Sequence, residues 1–107
     1  MEIYCKHMFK ATHHLSLPYD SPCNQPHSHD WTIEVWVEGE PERGIVADFN
    51  KLKEILSVYE NKDLNVSIAN PTAENLAFEI QSRIDRAVSK KARVRVWETC
   101  DCYAETD

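Results

Sequence analysis

Between Cys23 and His29 the chain sets one thiol and two imidazoles within seven residues, reading Cys-Asn-Gln-Pro-His-Ser-His. His27 and His29 are one residue apart, so on an extended backbone both rings leave the same face. Continued alternation puts Trp31, Ile33, Val35 and Val37 on that face, with Asp30, Thr32, Glu34 and Glu38 on the other. Two imidazoles at the head of an apolar strand face suit a divalent metal. Zinc takes three protein ligands and an open position when catalytic, and four ligands when structural. The third ligand is expected from a neighbouring strand, and His13 fits, because it shares a face with Phe9 and Ala11 at the strand end nearest the loop. His14 is expected to point away into solvent, and His7 to lie deeper as a core or supporting group. The reading is a Zn2+ site of His13, His27 and His29. Against it stands the plainer one, three hydrogen-bonded histidines of core or surface.

Cys23, four residues before His27, has three readings. It is a fourth ligand closing a Cys-His₃ structural site, or a thiol poised off the metal by a nearby cation, or a small buried hydrophobe. Spacing leaves all three open.

The elements that position these groups follow from periodicity. Residues 2 to 13 alternate as a long strand, a turn follows around Pro18, Asp20 and Pro22, and a second strand covers 27 to 38. The run from Gly39 to Gly44 breaks that pattern. Asp48 reads as the N-cap of a helix carrying Phe49, Leu52, Ile55, Leu56 and Tyr59 on its apolar stripe. Residues 60 to 71 read as a polar loop. Thr72 caps a second helix with Glu74 in its first turn and Leu76, Ile80, Ile84 and Val88 along one face. Strands return at Val94–Trp97 and near Tyr103. The order ββααββ predicts one α+β domain over 1–107, an antiparallel sheet with two helices on one face. Long strand edges predict a homo-oligomer built by sheet continuation, the alternative being a monomer with charge-guarded edges.

Composition narrows the function classes. A chain of 107 residues with 42% hydrophobic content supports a single core. Eighteen acidic against twelve basic residues give a formal charge of −6, which argues against a nucleic-acid partner. No apolar run approaches the roughly 20 residues of a membrane span, and the first residues lack the shape of a signal peptide. Four irregularly placed cysteines predict a reduced, cytoplasmic chain, with Cys5, Cys100 and Cys102 as free thiols.

Several stretches, taken together and in order, resemble one family. They are Phe9-Lys10-Ala11-Thr12-His13-His14-Leu15, Cys23-x₃-His27-x-His29 and Gly44-Ile45-Val46-Ala47-Asp48-Phe49, then Leu64-Asn65, Asn70-Pro71-Thr72-Ala73-Glu74-Asn75-Leu76-Ala77 and Val96-Trp97-Glu98-Thr99. The match spans essentially the whole chain and is similar to the 6-pyruvoyl-tetrahydropterin synthase / 6-carboxytetrahydropterin synthase family. The resemblance implies the tunnelling (T-) fold, a ββααββ unit whose sheets join into an oligomeric barrel, trimer-based and up to a hexamer. It implies that His13, His27 and His29 bind catalytic zinc, that Cys23 is a catalytic acid/base, and that Glu98 anchors a pterin ring. Thr72 and Glu74 match positions near the pterin. The implied partner is a small-molecule dihydropterin, 7,8-dihydroneopterin triphosphate, and the implied activity is a zinc-dependent lyase. Among family members, the short acidic chain looks most like the 6-carboxytetrahydropterin synthase of queuosine and deazapurine biosynthesis. Triphosphate elimination of the 6-pyruvoyl type is the alternative.

One departure bears on catalysis. Where the family carries an Asp-His proton relay ahead of x-x-Leu-Asn, this chain reads Glu60-Asn61 before Lys62-Asp63-Leu64-Asn65. Asn61 cannot exchange a proton at neutral pH, which leaves three accounts open. Glu60 (the first candidate), Asp63 or His14 takes over the proton, or zinc and Cys23 suffice for a variant pterin reaction, or the chain binds pterin without turnover. Cys100 likewise stands where a proline usually follows Trp-Glu-Thr. Three functions follow from different classes: an active lyase, a pterin- or purine-binding module without turnover, and a small Cys-His₃ structural zinc domain.

Overall fold

The computed structural model describes residues 1–107. Two twelve-residue strands, β1 (Glu2–His13) and β2 (His27–Glu38), pair antiparallel along their whole length, from Glu2 opposite Glu38 to His13 opposite His27. The alternation that defines them sorts their faces. Cys5, Phe9, Ala11, Trp31, Ile33, Val35 and Val37 are buried, and the residues between them are not. A turn with Arg43 and Gly44 both at positive φ (56° and 81°) closes a bridge between Glu42 and Ile45, a geometry the glycine accepts without strain.

α1 (Phe49–Ser57) starts at Asp48, whose carboxylate accepts the Asn50 N–H at 2.8 Å. Leu52, Ile55 and Leu56 of α1 are buried, as is Tyr59 just beyond it. Phe49 departs from expectation: as the first residue of the helix it overhangs the sheet, is 53% exposed, and borders an apolar groove with Met1, Ile3 and Ile45. The segment read as a loop over 60–71 contains more structure than expected. Lys62–Asp63 form a short strand, β3, parallel to Ala11–Thr12 of β1, and a 3-10 turn at Leu64–Val66 buries Leu64. Two residues are too few to display a strand period, which is why the sequence hid them. Asn61, in the left-handed region (φ 58°), turns the chain into this pairing.

α2 (Ala73–Val88) is capped by Thr72, whose hydroxyl accepts the Asn75 N–H at 3.0 Å, and ends at Ser89 in the left-handed conformation. β4 (Lys91–Thr99) pairs with β2, and β5 (Cys102–Glu105) with β4. The sheet order is β3-β1-β2-β4-β5, an α+β fold in which both helices cover one face and build one core with it. The other face is a ladder of arginine, aromatic and acidic groups. Arg93 lies 4.0 Å over Trp36 and Arg95 4.3 Å over Tyr103, while Tyr4 and Trp97 both donate to Glu34, at 2.6 and 2.7 Å. No helix is long and apolar enough to cross a membrane.

Candidate metal and pterin site

The register of the β1–β2 hairpin assembles the three histidines. His13 faces His27 directly and Ala11 faces His29, so three rings on one sheet face cluster at the loop end of the hairpin, where residues 14–26 connect the strands. Ring centroids lie 4.4 Å (His13–His27), 5.2 Å (His13–His29) and 4.8 Å (His27–His29) apart. One nitrogen from each falls within 4.8 Å of the others. The floor is Trp31, fully buried, whose ring meets His13 and His29 edge-on at 4.9 and 5.5 Å and whose indole N–H donates to the Ala11 carbonyl.

Backbone carbonyls orient the rings. His13 Nδ1 lies 2.7 Å from the Pro71 carbonyl, and His27 Nδ1 lies 2.7 Å from the Gln25 carbonyl. A carbonyl only accepts, so both Nδ1 atoms carry the proton and both Nε2 atoms present a lone pair, as a metal-ligating imidazole requires. His13 Nε2 and His29 Nε2 are buried without any hydrogen-bond partner. Buried polar atoms without partners are rare and ask for an occupant; two of them among three converging imidazoles fit a divalent cation. Burial pushes the His13 pKa below the usual imidazole range, against the opposing pull of the Pro71 carbonyl. That keeps the ring neutral and free to ligate.

Glu98 reaches the same place through an irregularity. The β4–β5 register slips between Trp97 and Thr99, leaving Glu98 as the extra residue of a bulge, a device that re-aims a side chain. Its Oε1 lies 3.3 Å from His29 Nε2, close but without hydrogen-bond alignment. His29 and Glu98 border an open cavity of about 800 Å³ that runs along the helix-free side of the sheet to Glu34 and Arg95. Glu74 and Glu98 share a second, smaller cavity of about 220 Å³ at the start of α2.

The other expected site residues fall as follows. The Cys23 thiol is half-buried and free in a 3-10 turn whose carbonyl accepts the Leu15 N–H, and its sulfur is not one of the converging ligand atoms. Thr72 borders neither cavity and spends its hydroxyl on capping α2. Glu60 lies on the outer edge of β1, where its carboxylate accepts the Lys10 N–H at 2.9 Å and the neighbouring Asn61 N–H donates to the Lys10 carbonyl at 2.7 Å. His14 is not solvated as expected. It is half-buried, and the Asn65 amide both accepts its N–H (2.9 Å) and donates to its carbonyl (3.0 Å), a two-point clamp just past His13. His7 has Phe9 as its ring neighbour, at 6.2 Å. Pro71, Gln25 and Asn65 are supports that sequence reasoning missed, because two of them act through backbone carbonyls, which no residue type announces.

A family model described as 6-pyruvoyl tetrahydropterin synthase matches residues 2–107. The chain belongs to the 6-pyruvoyl tetrahydropterin synthase family. Among this family's members, a Pyrococcus abyssi protein provisionally named 6-carboxy-5,6,7,8-tetrahydropterin synthase is 31% identical, the match covering 96% of this chain and 87% of that protein. A Pyrococcus furiosus dihydroneopterin monophosphate aldolase is 38% identical over 79 residues, covering 67% of this chain and 69% of its own. The Caenorhabditis elegans 6-pyruvoyl tetrahydropterin synthase superposes with a TM-score of 0.78 at 22% identity, over 100% of this chain and 94% of that one, which establishes the shared fold.

Proposed function

We propose that this synthase-family chain is a zinc-dependent lyase acting on the side chain of a 7,8-dihydropterin, in the manner of a 6-carboxytetrahydropterin synthase. The observation that carries the reading is the pair of buried, partnerless nitrogens on His13 and His29, beside the Glu98 carboxylate and an open cavity. Zinc held by His13, His27 and His29 supplies Lewis acidity toward side-chain hydroxyls.

The chain's own groups divide the remaining work. Glu98 accepts hydrogen bonds from the ring N–H and amino groups of the pterin, interactions to a charged acceptor that are about twice as strong as neutral ones. Cys23, held off the metal in its half-buried turn, moves a proton at the side-chain carbons, a role worth about 10²–10⁴-fold. Glu74 borders the pterin at the start of α2, and Thr72 holds that helix end in place. The exposed edges of β1 and β5 join copies of the chain into a trimer-based ring in the cytoplasm, which gives the open cavity its outer wall. The product then feeds queuosine or deazapurine biosynthesis.

The position of Glu60 favours a second reading within the same chemistry. With its carboxylate engaged by Lys10 and an asparagine beside it, the two-residue relay is replaced by a backbone clamp. A reaction needing fewer proton transfers suits that arrangement: cleavage between the first two side-chain carbons, giving a hydroxymethyl pterin and glycolaldehyde. The aldolase relative is named for a reaction on this substrate class.

The test is aldehyde release by zinc-replete protein from 7,8-dihydroneopterin and its phosphate esters, compared with Cys23→Ala. Acetaldehyde with triphosphate release supports the synthase reading, whereas glycolaldehyde from dihydroneopterin, or its phosphorylated form from the esters, supports the cleavage reading. Tight binding without product in the wild type makes the chain a binding module. Unfolding of Cys23→Ala makes it a structural Cys-His₃ domain.

A further inference from the structure

Past His13 the chain leaves β1, yet its next four backbone N–H groups find partners on alternate sides, as they would in a paired strand. On one side, His14 donates to Asn65 Oδ1 at 2.9 Å and Ser16 to Asn70 Oδ1 at 3.1 Å, both in the segment leading into α2. On the other, Leu15 donates to the Cys23 carbonyl at 2.8 Å and Leu17 to Asn24 Oδ1 at 3.1 Å, both in the turn that carries the thiol. Two asparagine amides thus stand where a neighbouring strand would.

The remaining bonds of the Cys23 turn stay inside the loop. Ser21 Oγ accepts the Cys23 N–H at 3.2 Å, and the Asn24 amide donates to the Tyr19 carbonyl at 3.1 Å. Hydrogen bonds from residues 14–24 to the rest of the chain go through Asn65 and Asn70. Asn70 is itself fixed on the helix start, its carbonyl accepting the Thr72 N–H at 2.8 Å and the Asn75 amide at 2.7 Å.

We propose that Asn70 and Asn65 are positioning residues for the Cys23 thiol, holding 14–17 so that Leu15 fixes the thiol's turn beside the metal-binding strand end. This rests on the lyase reading, in which Cys23 moves a proton, and adds what sets the thiol's place. A proton carrier must lie within hydrogen-bond reach of the atom it serves, and misplacement by about 1 Å costs about 10²-fold. Every bond in this relay of contacts lies within one copy of the chain.

The experiment compares zinc-loaded wild type, Asn70→Ala and Asn70→Asp; aspartate keeps an acceptor for the Ser16 N–H and alanine does not. In Asn70→Ala, kcat for aldehyde release should fall about 10–100-fold with KM and zinc content unchanged. Iodoacetamide alkylation of Cys23, read by peptide mass spectrometry, should accelerate about threefold or more as the turn loosens. Alkylation of the buried Cys5, which reports a general opening of the core, should not move. Asn70→Asp should restore both wild-type values. Asn65→Asp, which keeps the His14 N–H acceptor but loses the donor to its carbonyl, should show the alanine pattern, and it serves if alanine unfolds the chain. Normal kcat, or Cys23 alkylation that does not rise, overturns the proposal and leaves the lyase reading intact. Loss of zinc also overturns it, assigning Asn70 to His13 through Pro71. If the wild type releases no aldehyde, the lyase reading fails, and the alkylation comparison alone decides whether the asparagines hold the thiol.

Discussion

His13 and His27 are direct partners across the β1–β2 ladder, with ring centroids 4.4 Å apart at the end of the hairpin from which the 14–26 loop leaves. That pairing makes metal binding a matter of register. A slip of one residue would send His13, Phe9 and Ala11 to the opposite face together, and the buried face from Cys5 to Val37 forbids it. The core therefore holds the ligands in place before any ion arrives.

His13→Ala tests this division of labour. The substitution removes one of three ligands but no ladder hydrogen bond. Zinc affinity should fall by more than about 100-fold, beyond the 10–100-fold typical of losing a supporting partner. Far-ultraviolet circular dichroism should stay unchanged. Metal content by mass spectrometry under native conditions measures the first, and a collapse of the fold without metal would contradict the second.

Trp31→Phe separates the floor from the ligands. Trp31 is fully buried and packs edge-on against His13 and His29 while its N–H satisfies the Ala11 carbonyl. Phenylalanine keeps an aromatic floor but drops that donor and leaves a gap. A stability loss of about 1–3 kcal/mol in urea unfolding is expected, with weaker zinc binding because two imidazoles lose their backstop.

The strands, both helices and the three imidazoles were legible in the sequence for one reason: alternation and helical spacing report which way a side chain points. His13, His27 and His29 needed only parity and a neighbouring strand. What escaped lies outside any period. The parallel bridge at Lys62–Asp63 spans two residues, the orientation of His13 and His27 depends on the carbonyls of Pro71 and Gln25, and Glu98 reaches His29 through a bulge. Phe49 had the right spacing but, as the first residue of α1, is left exposed beside the groove with Met1, Ile3 and Ile45.

Glu98→Gln distinguishes pterin anchoring from metal support. The amide keeps size and one acceptor but lacks the charge, so dihydropterin binding should weaken by about 10–100-fold, the equivalent of 1.5–3 kcal/mol for a charged hydrogen-bond partner. Zinc content should hold, because the partnerless nitrogens of His13 and His29 remain. Loss of the metal in this variant would instead make Glu98 part of the ligand set.

Alkaline stability should report on Tyr59. Burial, followed by its hydrogen bond to Glu79, raises the Tyr59 pKa from 10.0 to about 12. A raised value favours the neutral phenol in the folded state, so this stabilisation is complete below pH 10 and drains away as pH climbs toward 12. Urea midpoints of the wild type should fall across that window. In Tyr59→Phe the fall should be shallower, from a starting stability lower by about 1 kcal/mol.

Glu60 offers the sharpest contest between two roles. If it moves a proton in the reaction, Glu60→Gln lowers kcat by about 10²-fold or more, with KM unmoved. Its position argues otherwise, since its carboxylate accepts the Lys10 N–H on the outer edge of β1, three residues short of His13, and Asn61 completes the clamp on the Lys10 carbonyl. Glutamine preserves an acceptor for that N–H, so Glu60→Gln should retain kcat within about threefold, whereas Glu60→Ala should lose about 0.5–1.5 kcal/mol of stability by freeing the edge. Because the clamp lies on the strand that carries His13, the alanine variant should also show faster amide exchange along residues 8–12. Steady-state kinetics on both variants, with hydrogen exchange on the second, decides between a proton carrier and a strand clamp.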